Sequence, residues 1–316
     1  MSSKGRRSVP ASSDYAELDI RWRSYLSDGS SDVLKVFPKQ TAELGFPTEL
    51  RNMGAQTDYG EIPWTAFQEP RVLGHGQRYY GGVFGERVIQ LPIFVEAGTA
   101  ADAMDVIQAL NRKFGINQLG QVITRRKMGD NSDMNTEIDG VIQARRAFTN
   151  APGVGVGVMG DLKAGQVYYV ASISCPDPFF RKESGEEITD STSTSGGGTV
   201  SLTNMGDVDV GVRLDLSLIA GGPPTSVTLT HNGTGRTMTV TDDLADDVRV
   251  EWHYPGPDDL SAVSDPSGTP VDIMGSLNVG ADLMAGVGPN TWTVAVAGAA
   301  STVSAALKAR EAYSSP

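Results

Sequence analysis

Three histidines, one cysteine and several carboxylate runs are the side chains of this 316-residue sequence whose types suit chemistry. His75, His231 and His253 show no i, i+4 pairing and no second ligand set, so their spacing does not support a zinc site. Asp242, Asp243, Asp246 and Asp247, close to Glu251, could offer oxygens to a calcium ion, as could the loop DNSDMNTEIDG that begins at Asp130. Neither has the glycine-centred spacing of an EF-hand, and acidic hairpin loops are the plainer reading. Residues 155–160, GVGVMG, spell the phosphate-cradling G-x-G-x-x-G, but a strand pattern follows where a helix would have to begin. Cys175 enters a Pro-Asp-Pro turn with no histidine near it in sequence, and no G-x-S-x-G elbow occurs. Carboxylate pairs for glycoside hydrolysis can come from distant strands, yet nothing in the pattern favours an enzyme. Asn232-Gly233-Thr234 fits a glycosylation acceptor and equally a turn.

Aromatic side chains suggest another chemistry. In Trp252-His253-Tyr254, strand alternation places Trp252 and Tyr254 on one side and His253 on the other. Such a pair is either a platform for stacking a sugar ring or part of a core. No catalytic, cofactor-binding or metal-binding residue is assigned.

The elements that must position these residues read as mainly β. IRWRSYL, DVLKVFP, LGQVITRR, EIDGVIQARRAF and GQVYYVASISC are strand candidates, and VFGERVIQLPIFV reads as one long strand broken at Pro92, which suits an edge or bulge. The first half holds one strong helix signal, about 99–115. Thr99 and Asp102 form a capping-box pattern, Met104, Ile107, Leu110 and Phe114 repeat on one face, and Gly115 stands where a C-terminal cap belongs. The stretch from Phe46 to Gly82 is irregular and aromatic-rich, as functional or partner-covered loops are. Glu183 to Gly198 is poor in apolar residues and ends in three glycines, which predicts a flexible linker. Three parts follow: a β-domain with one helix at 1–182, the linker at 183–198, and a β-sandwich of about eight short strands at 199–316. Within the sandwich, SVTLTHNGTGRTMTV predicts a hairpin with Val227 and Leu229 facing Met238 and Val240, and Asn232-Gly233 supplying positive φ.

A formal charge of −12 makes sequence-independent nucleic-acid binding a poor fit, because such binding depends on cations replacing phosphate counterions. From Thr199 onward there are 14 acidic and 5 basic residues, against 24 and 21 before it. The single cysteine rules out an intrachain disulfide and reads as a buried thiol. The start has no apolar signal region and no run is long enough to span a bilayer, so synthesis and folding in a cytosol are expected, with exit by lysis or a leaderless route.

Several features in sequence order resemble the distal tail proteins of long-tailed bacteriophages, often called minor tail proteins. They are the N-x-G-D turn at Asn204, Gly206 and Asp207, and the pair Thr234-Gly235 in the hairpin. Gly288 and Asn290 follow before TWTVAVA, then the closing strand at Ala312-Tyr313; Asp177-Pro178 with two aromatics matches the end of the first domain. The resemblance covers nearly the whole chain, with 51–82 the poorest match. It implies a β-domain with one helix that builds a ring, and a galectin-like β-sandwich outside it. It also implies a homohexamer in the virion tail tip or baseplate joining tail tube to hub and tape-measure proteins, with the genome passing through unbound. The alternative is a lectin-like tail module for host-surface attachment, using Trp252 and Tyr254.

Overall fold

The computed structural model describes residues 18–25, 30–37, 49–51, 57–70, 77–127, 133–148, 165–183, 187–241, 247–252, 260–264, 267, 269–279, 284–298 and 301–315. The chain divides into two compact units: Met1–Asp58, Ile89–Thr136 and Gly140–Ser174 form one, and Tyr59–Val88, Glu137–Asp139 and Cys175–Pro316 the other. This differs from the three parts expected, because Tyr59–Val88 belongs with the C-terminal unit and the changeover falls at Cys175. The expected mainly β architecture with one α-helix holds among the described residues.

The first unit is a helix on a sheet. Strand order is Ser31–Phe37, Leu18–Tyr25, Leu119–Lys127, Asp133–Phe148, Gln166–Cys175, Arg87–Glu96, Glu49–Arg51. Alternation in Leu18–Tyr25 buries Ile20, Trp22 and Ser24 and turns Tyr25 outward. The helix, Ala100–Lys113, begins where the capping box places it, with the Asp102 N–H donating to Thr99 Oγ1 at 3.2 Å. Its buried stripe is Ala103, Val106, Ile107 and Leu110, and Met104 is 46% exposed, one position off the expected face. Nor does Gly115 cap the end. The Trp22 indole donates to the Lys113 carbonyl at 3.3 Å and Arg145 Nη1 to that of Phe114 at 3.0 Å, so tertiary donors satisfy carbonyls a glycine turn would otherwise serve. Positive φ appears instead at Asn117, at 65°.

Trp22 stacks on Phe114 with centroids 5.9 Å apart, and Phe114 meets Tyr169 at the same distance. Gly120 is obligatory beside this stack, because a Cβ there would lie 2.5 Å from Trp22 Cζ2 and 2.4 Å from the Arg23 carbonyl oxygen. The expected single strand from Val83 to Val95 is two, Gln77–Phe84 and Arg87–Glu96, separated at Gly85-Glu86. The first of these pairs with Trp64–Pro70 as a hairpin in the second unit, inside the stretch read as irregular. Pro92 does not break the second. It falls between Gln90, bridged to Asp58, and Phe94, paired with Arg51, where its missing N–H interrupts no ladder bond on that side.

The second unit is a two-sheet sandwich. The larger sheet runs Ile188–Thr194, Thr302–Ala309, Val210–Ala220, Val248–Trp252, Leu260–Ser264, Val271–Asp272, with Met284–Ala285 beside Val210–Ala220. The smaller runs Gly197–Asn204, Gly288–Gly298, Pro224–His231, Thr237–Val240, Leu277–Val279. Between them pack the inward residues of both, among them Val200, Leu202, Leu214, Leu216, Val250, Trp292, Val294 and Leu307. The predicted linker is mostly sheet: Ile188–Thr194 pairs along its whole length with Thr302–Ala309, and Gly197–Asn204 with Gly288–Gly298. Backbone pairing to a strand far along the chain needs no apolar side chain, which is why composition alone suggests a linker. The hairpin pairs as expected, Val227 with Val240 and Leu229 with Met238, but positive φ lies at Gly235, at 70°, not at Asn232-Gly233. The Gly235 N–H donates to the His231 carbonyl at 2.8 Å and closes a four-residue loop.

Candidate functional site

The residues that carried the resemblance meet in two polar joints of the second unit. At the first, Asn204 is fully buried. Its Nδ2 donates to the Val208 and Ala285 carbonyls at 2.9 and 3.2 Å, and its Oδ1 accepts from the Gly206 N–H at 3.0 Å. Gly206 must be glycine, because a Cβ would sit 2.2 Å from the Ala312 oxygen. The Asp207 N–H donates to that same oxygen at 3.1 Å, and its carboxylate accepts from the Ser314 N–H at 2.6 Å and from the Ser314 hydroxyl. Ala312-Tyr313 pairs with Arg181 and Phe180.

Buried charge completes this joint. Glu311, 1% exposed, accepts from the Met205 N–H and the Tyr313 hydroxyl, each at 2.9 Å, and pairs with Lys182 at 3.1 Å. Arg310 donates to the Lys182 carbonyl at 2.7 Å and pairs with the buried Glu137. Arg87 donates to the Ser314 carbonyl at 2.5 Å and lies 5.3 Å over the Phe180 ring. Burial holds its guanidinium below its ordinary pKa, with the charges of Cys175, Asp177 and Asp207 opposing. Asp177, one of the residues quoted for the resemblance, accepts from the Phe179 N–H at 3.3 Å and pairs with Arg181 at 2.8 Å. Arg87, Glu137, Arg310 and Glu311 escaped the sequence reading; the one available signal was the Arg-Glu pair directly after the alternating strand TVSAALKA.

At the second joint, Asn290 Nδ2 donates to the Gly286 and Gly288 carbonyls at 2.6 and 2.8 Å, and Gly288 takes a φ of +94°. His231 Nδ1 accepts from the Thr234 N–H at 3.1 Å, so Nε2 carries the proton facing Asn290 Oδ1 at 3.2 Å. The imidazole stands edge-on to Trp292 at 5.0 Å. Both joints use their asparagine, aspartate and histidine groups on backbone and neighbouring side chains, which is the chemistry of a rigid scaffold, whereas Nε and Nη1 of Arg87 are buried with no hydrogen-bond partner among the described residues.

The other candidates scatter. Trp252 ends the Val248–Trp252 strand on the side of Val248 and Val250 and packs, partly buried, against the sandwich core. Tyr254, its proposed partner, lies outside the described residues, as do His75, His253, Asp242, Asp243, Asp246 and GVGVMG. Glu251 accepts from the Ser261 hydroxyl at 3.0 Å. No group of three His, Cys, Asp or Glu among the described residues could hold a metal. Cys175 is buried, and that burial pushes its thiol up to about 12 against the lowering charge of Arg87, so it is not a nucleophile at neutral pH. No described helix is long and apolar enough to cross a membrane.

Several large apolar side chains remain exposed among the described residues. In the second unit, Trp64 and Phe84 pack across the hairpin with rings tilted by 55° and centroids 4.7 Å apart, yet are 48% and 51% exposed, with Phe179 at 5.0 Å from Phe84. In the first unit, Ser31–Phe37 and Glu49–Arg51 end the hydrogen-bonded strand order and lie against each other, and Tyr25, Val33 and Leu119 are exposed.

No protein-family model matches the chain, and no curated protein matches it. Among solved structures it is similar to the crystal structure of the SPP1 Dit (gp 19.1) protein, described as a paradigm of the hub adsorption apparatus in phages infecting Gram-positive bacteria. The TM-score is 0.54 at 13% identity, over 93% of this chain and 98% of that chain. The phage P2 baseplate in its activated conformation with Ca gives a TM-score of 0.39 at 8% identity over 92% of this chain and 97% of that chain, too low for a structural conclusion. Over nearly its whole length, then, the chain has the fold of the SPP1 Dit protein.

Proposed function

We propose that this chain is a structural, non-enzymatic subunit of a bacteriophage tail tip, a ring-forming protein that connects the tail tube to the tail hub. The observation that carries the proposal is the fold shared, from end to end of both chains, with a protein of a phage hub adsorption apparatus. The surfaces agree with it. A hairpin with exposed aromatics is a surface that a copy of the same chain can cover, and closed rotational symmetry covers such a surface on every copy at once. Six copies would form the ring in the virion, with tail-tube protein on one side and hub or tape-measure protein on the other. A net charge of −12 suits a ring through which the genome slides without being held.

Negative-stain imaging of the full chain, alone and with purified tail-tube and hub proteins, tests this. Six-membered rings with an open centre are expected. Val33→Lys combined with Phe84→Glu should abolish the rings while leaving the melting profile in place. A chain that stays monomeric at high concentration and joins neither partner overturns the proposal.

A further inference from the structure

Charge is divided unequally between the two units. The first carries 16 basic and 14 acidic residues and the second 10 basic and 24 acidic, so the whole excess of acid belongs to the second. Three of its cations, Arg213, Arg249 and Lys308, converge on the single carboxylate of Asp215 and compensate nothing elsewhere. Second units therefore repel one another and are drawn to first units. Each unit also exposes apolar side chains beside charge of its own sign. In the second, Met205 and Val287 are 72% and 57% exposed. The pairing of Asn204 with Gly288, and the bond from Asn204 Nδ2 to the Ala285 carbonyl, bring their two turns together. The Met205 N–H donates to Glu311 Oε1 at 2.9 Å and the Val287 N–H to Asp209 Oδ1 at 3.1 Å, so both tips are held in place. Asp207 and Asp209 are exposed beside them, and the neutral Ser314 and Val287 groups that bond them fix the carboxylates without cancelling their charge. In the first unit, Arg21, Arg23 and Tyr25 share the side of their strand opposite to buried Ile20, Trp22 and Ser24. Val33 lies directly across from Arg23. Leu119 stands one residue beyond Gly120, the partner of Ser24, which sets it beside Tyr25.

We infer that the sandwich end bearing Met205 and Val287 docks on the face of Tyr25, Val33 and Leu119 in a second copy of this chain. The inference rests on the self-association proposed above and names the two surfaces that meet. The occupant follows from the match. Apolar side chains meet at the centre while an aspartate rim faces an arginine rim, as complementary protein interfaces are built. Another second unit in that place would set aspartate against aspartate. Methionine adapts its shape to the surface it meets, and the pinned backbone of both turns leaves little ordering to be done on contact. Because the contact joins two different surfaces, each copy offers one to the copy before it and the other to the copy after it, and a series of this kind closes into a ring when its rotation allows.

The test is sedimentation velocity of the full-length protein, with negative-stain images of the same samples. Met205→Lys spoils the tip and Val33→Glu the face, and since both side chains are exposed each variant should keep the wild-type melting profile. Alone, each should associate about a hundredfold more weakly, because the new charge is desolvated in an apolar contact and meets a rim of its own sign. Mixed one to one, the intact face of the Met205 variant and the intact tip of the Val33 variant still match, so the mixture should give dimers and nothing longer. Raising salt to about 1 M, where screening acts within about 3 Å, should weaken wild-type association about tenfold. Wild-type association in either variant, a mixture that stays monomeric, or association that salt strengthens overturns the inference. Six-membered rings formed by both variants overturn this inference alone. Open chains in place of rings in the wild type, with dimers in the mixture, overturn the proposed function alone.

Discussion

The two units are held by different physics. In the first, helix and sheet are joined by an apolar and aromatic stack, Trp22 on Phe114 on Tyr169, and the helix end is finished by side chains reaching in from distant strands. In the second, the sheets share an ordinary aliphatic core, but the geometry of the sandwich ends is set by asparagine and aspartate side chains bonded to backbone: Asn204, Asp207 and Asn290. Burial is non-directional and tolerates repacking, whereas a buried amide with several partners fixes one geometry and fails abruptly when removed. A scaffold that must present rigid surfaces to neighbours gains from the second construction.

The largest expected effect is in the first unit. Trp22→Ala removes the stack and the donor to the Lys113 carbonyl, and should cost about 3–5 kcal/mol. Calorimetry should show the first unit's transition falling while the sandwich transition stays; a drop of both breaks the contrast. Asn204→Ala should destabilise the sandwich by about 2–3 kcal/mol, because two carbonyls and the Gly206 N–H lose their partner in a dry site. A loss no greater than about 0.5 kcal/mol, the scale of a surface change, would mean that the joint is ornamental.

A smaller effect, about 1 kcal/mol, is expected for Gly235→Ala, since φ is +70° there and no atom lies within 4 Å to add a clash. Gly235→Asn should lose less, because asparagine tolerates that conformation. Equal losses would point to something other than backbone strain.

The smallest is a matter of pH. Burial alone would raise the Asp215 pKa, but hydrogen bonds from Arg213 and Arg249, and their charges, outweigh it and hold the carboxyl below its ordinary value. Its stabilisation is therefore complete above the unfolded value, about 3.9, and disappears as pH falls through the lower folded value. Asp215→Asn should reduce stability at neutral pH by less than about 1 kcal/mol, the side chain being partly exposed, and the difference from wild type should vanish in acid. Urea melts at neutral pH and near pH 3 check this; a constant difference removes Asp215 from the account of the larger sheet.

Local patterns were legible in proportion to how local their causes are. Thr99 and Asp102 announced the helix start because the cap is made within one turn, and the alternation of Val227, Leu229, Met238 and Val240 announced the hairpin because pleating alone dictates it. The helix end was misread at Gly115 because its carbonyls are served by Trp22 and Arg145, whose arrival no window around residue 115 can reveal. The platform pair Trp252 and Tyr254 was chosen by alternation, which identifies a shared side and not whether that side is core or solvent.

By itself, then, the sequence determined the mainly β class, the helix start at Thr99, the hairpin and the turn residues Asn204, Gly206, Asp207, Gly288 and Asn290 of the two polar joints, since turn-forming Asn, Asp and Gly act within a few residues of their position. Tertiary structure alone decided that Ile188–Thr194 is a strand, because Ile188 finds its ladder partner at Ala309. It also decided that Tyr59–Val88 belongs with the C-terminal unit and that Glu137 is neutralised by Arg310. That Met205 and Val287 stand together at one end of the sandwich is likewise tertiary. Cross-strand register is a relation between segments far apart in the chain, and no segment encodes it alone.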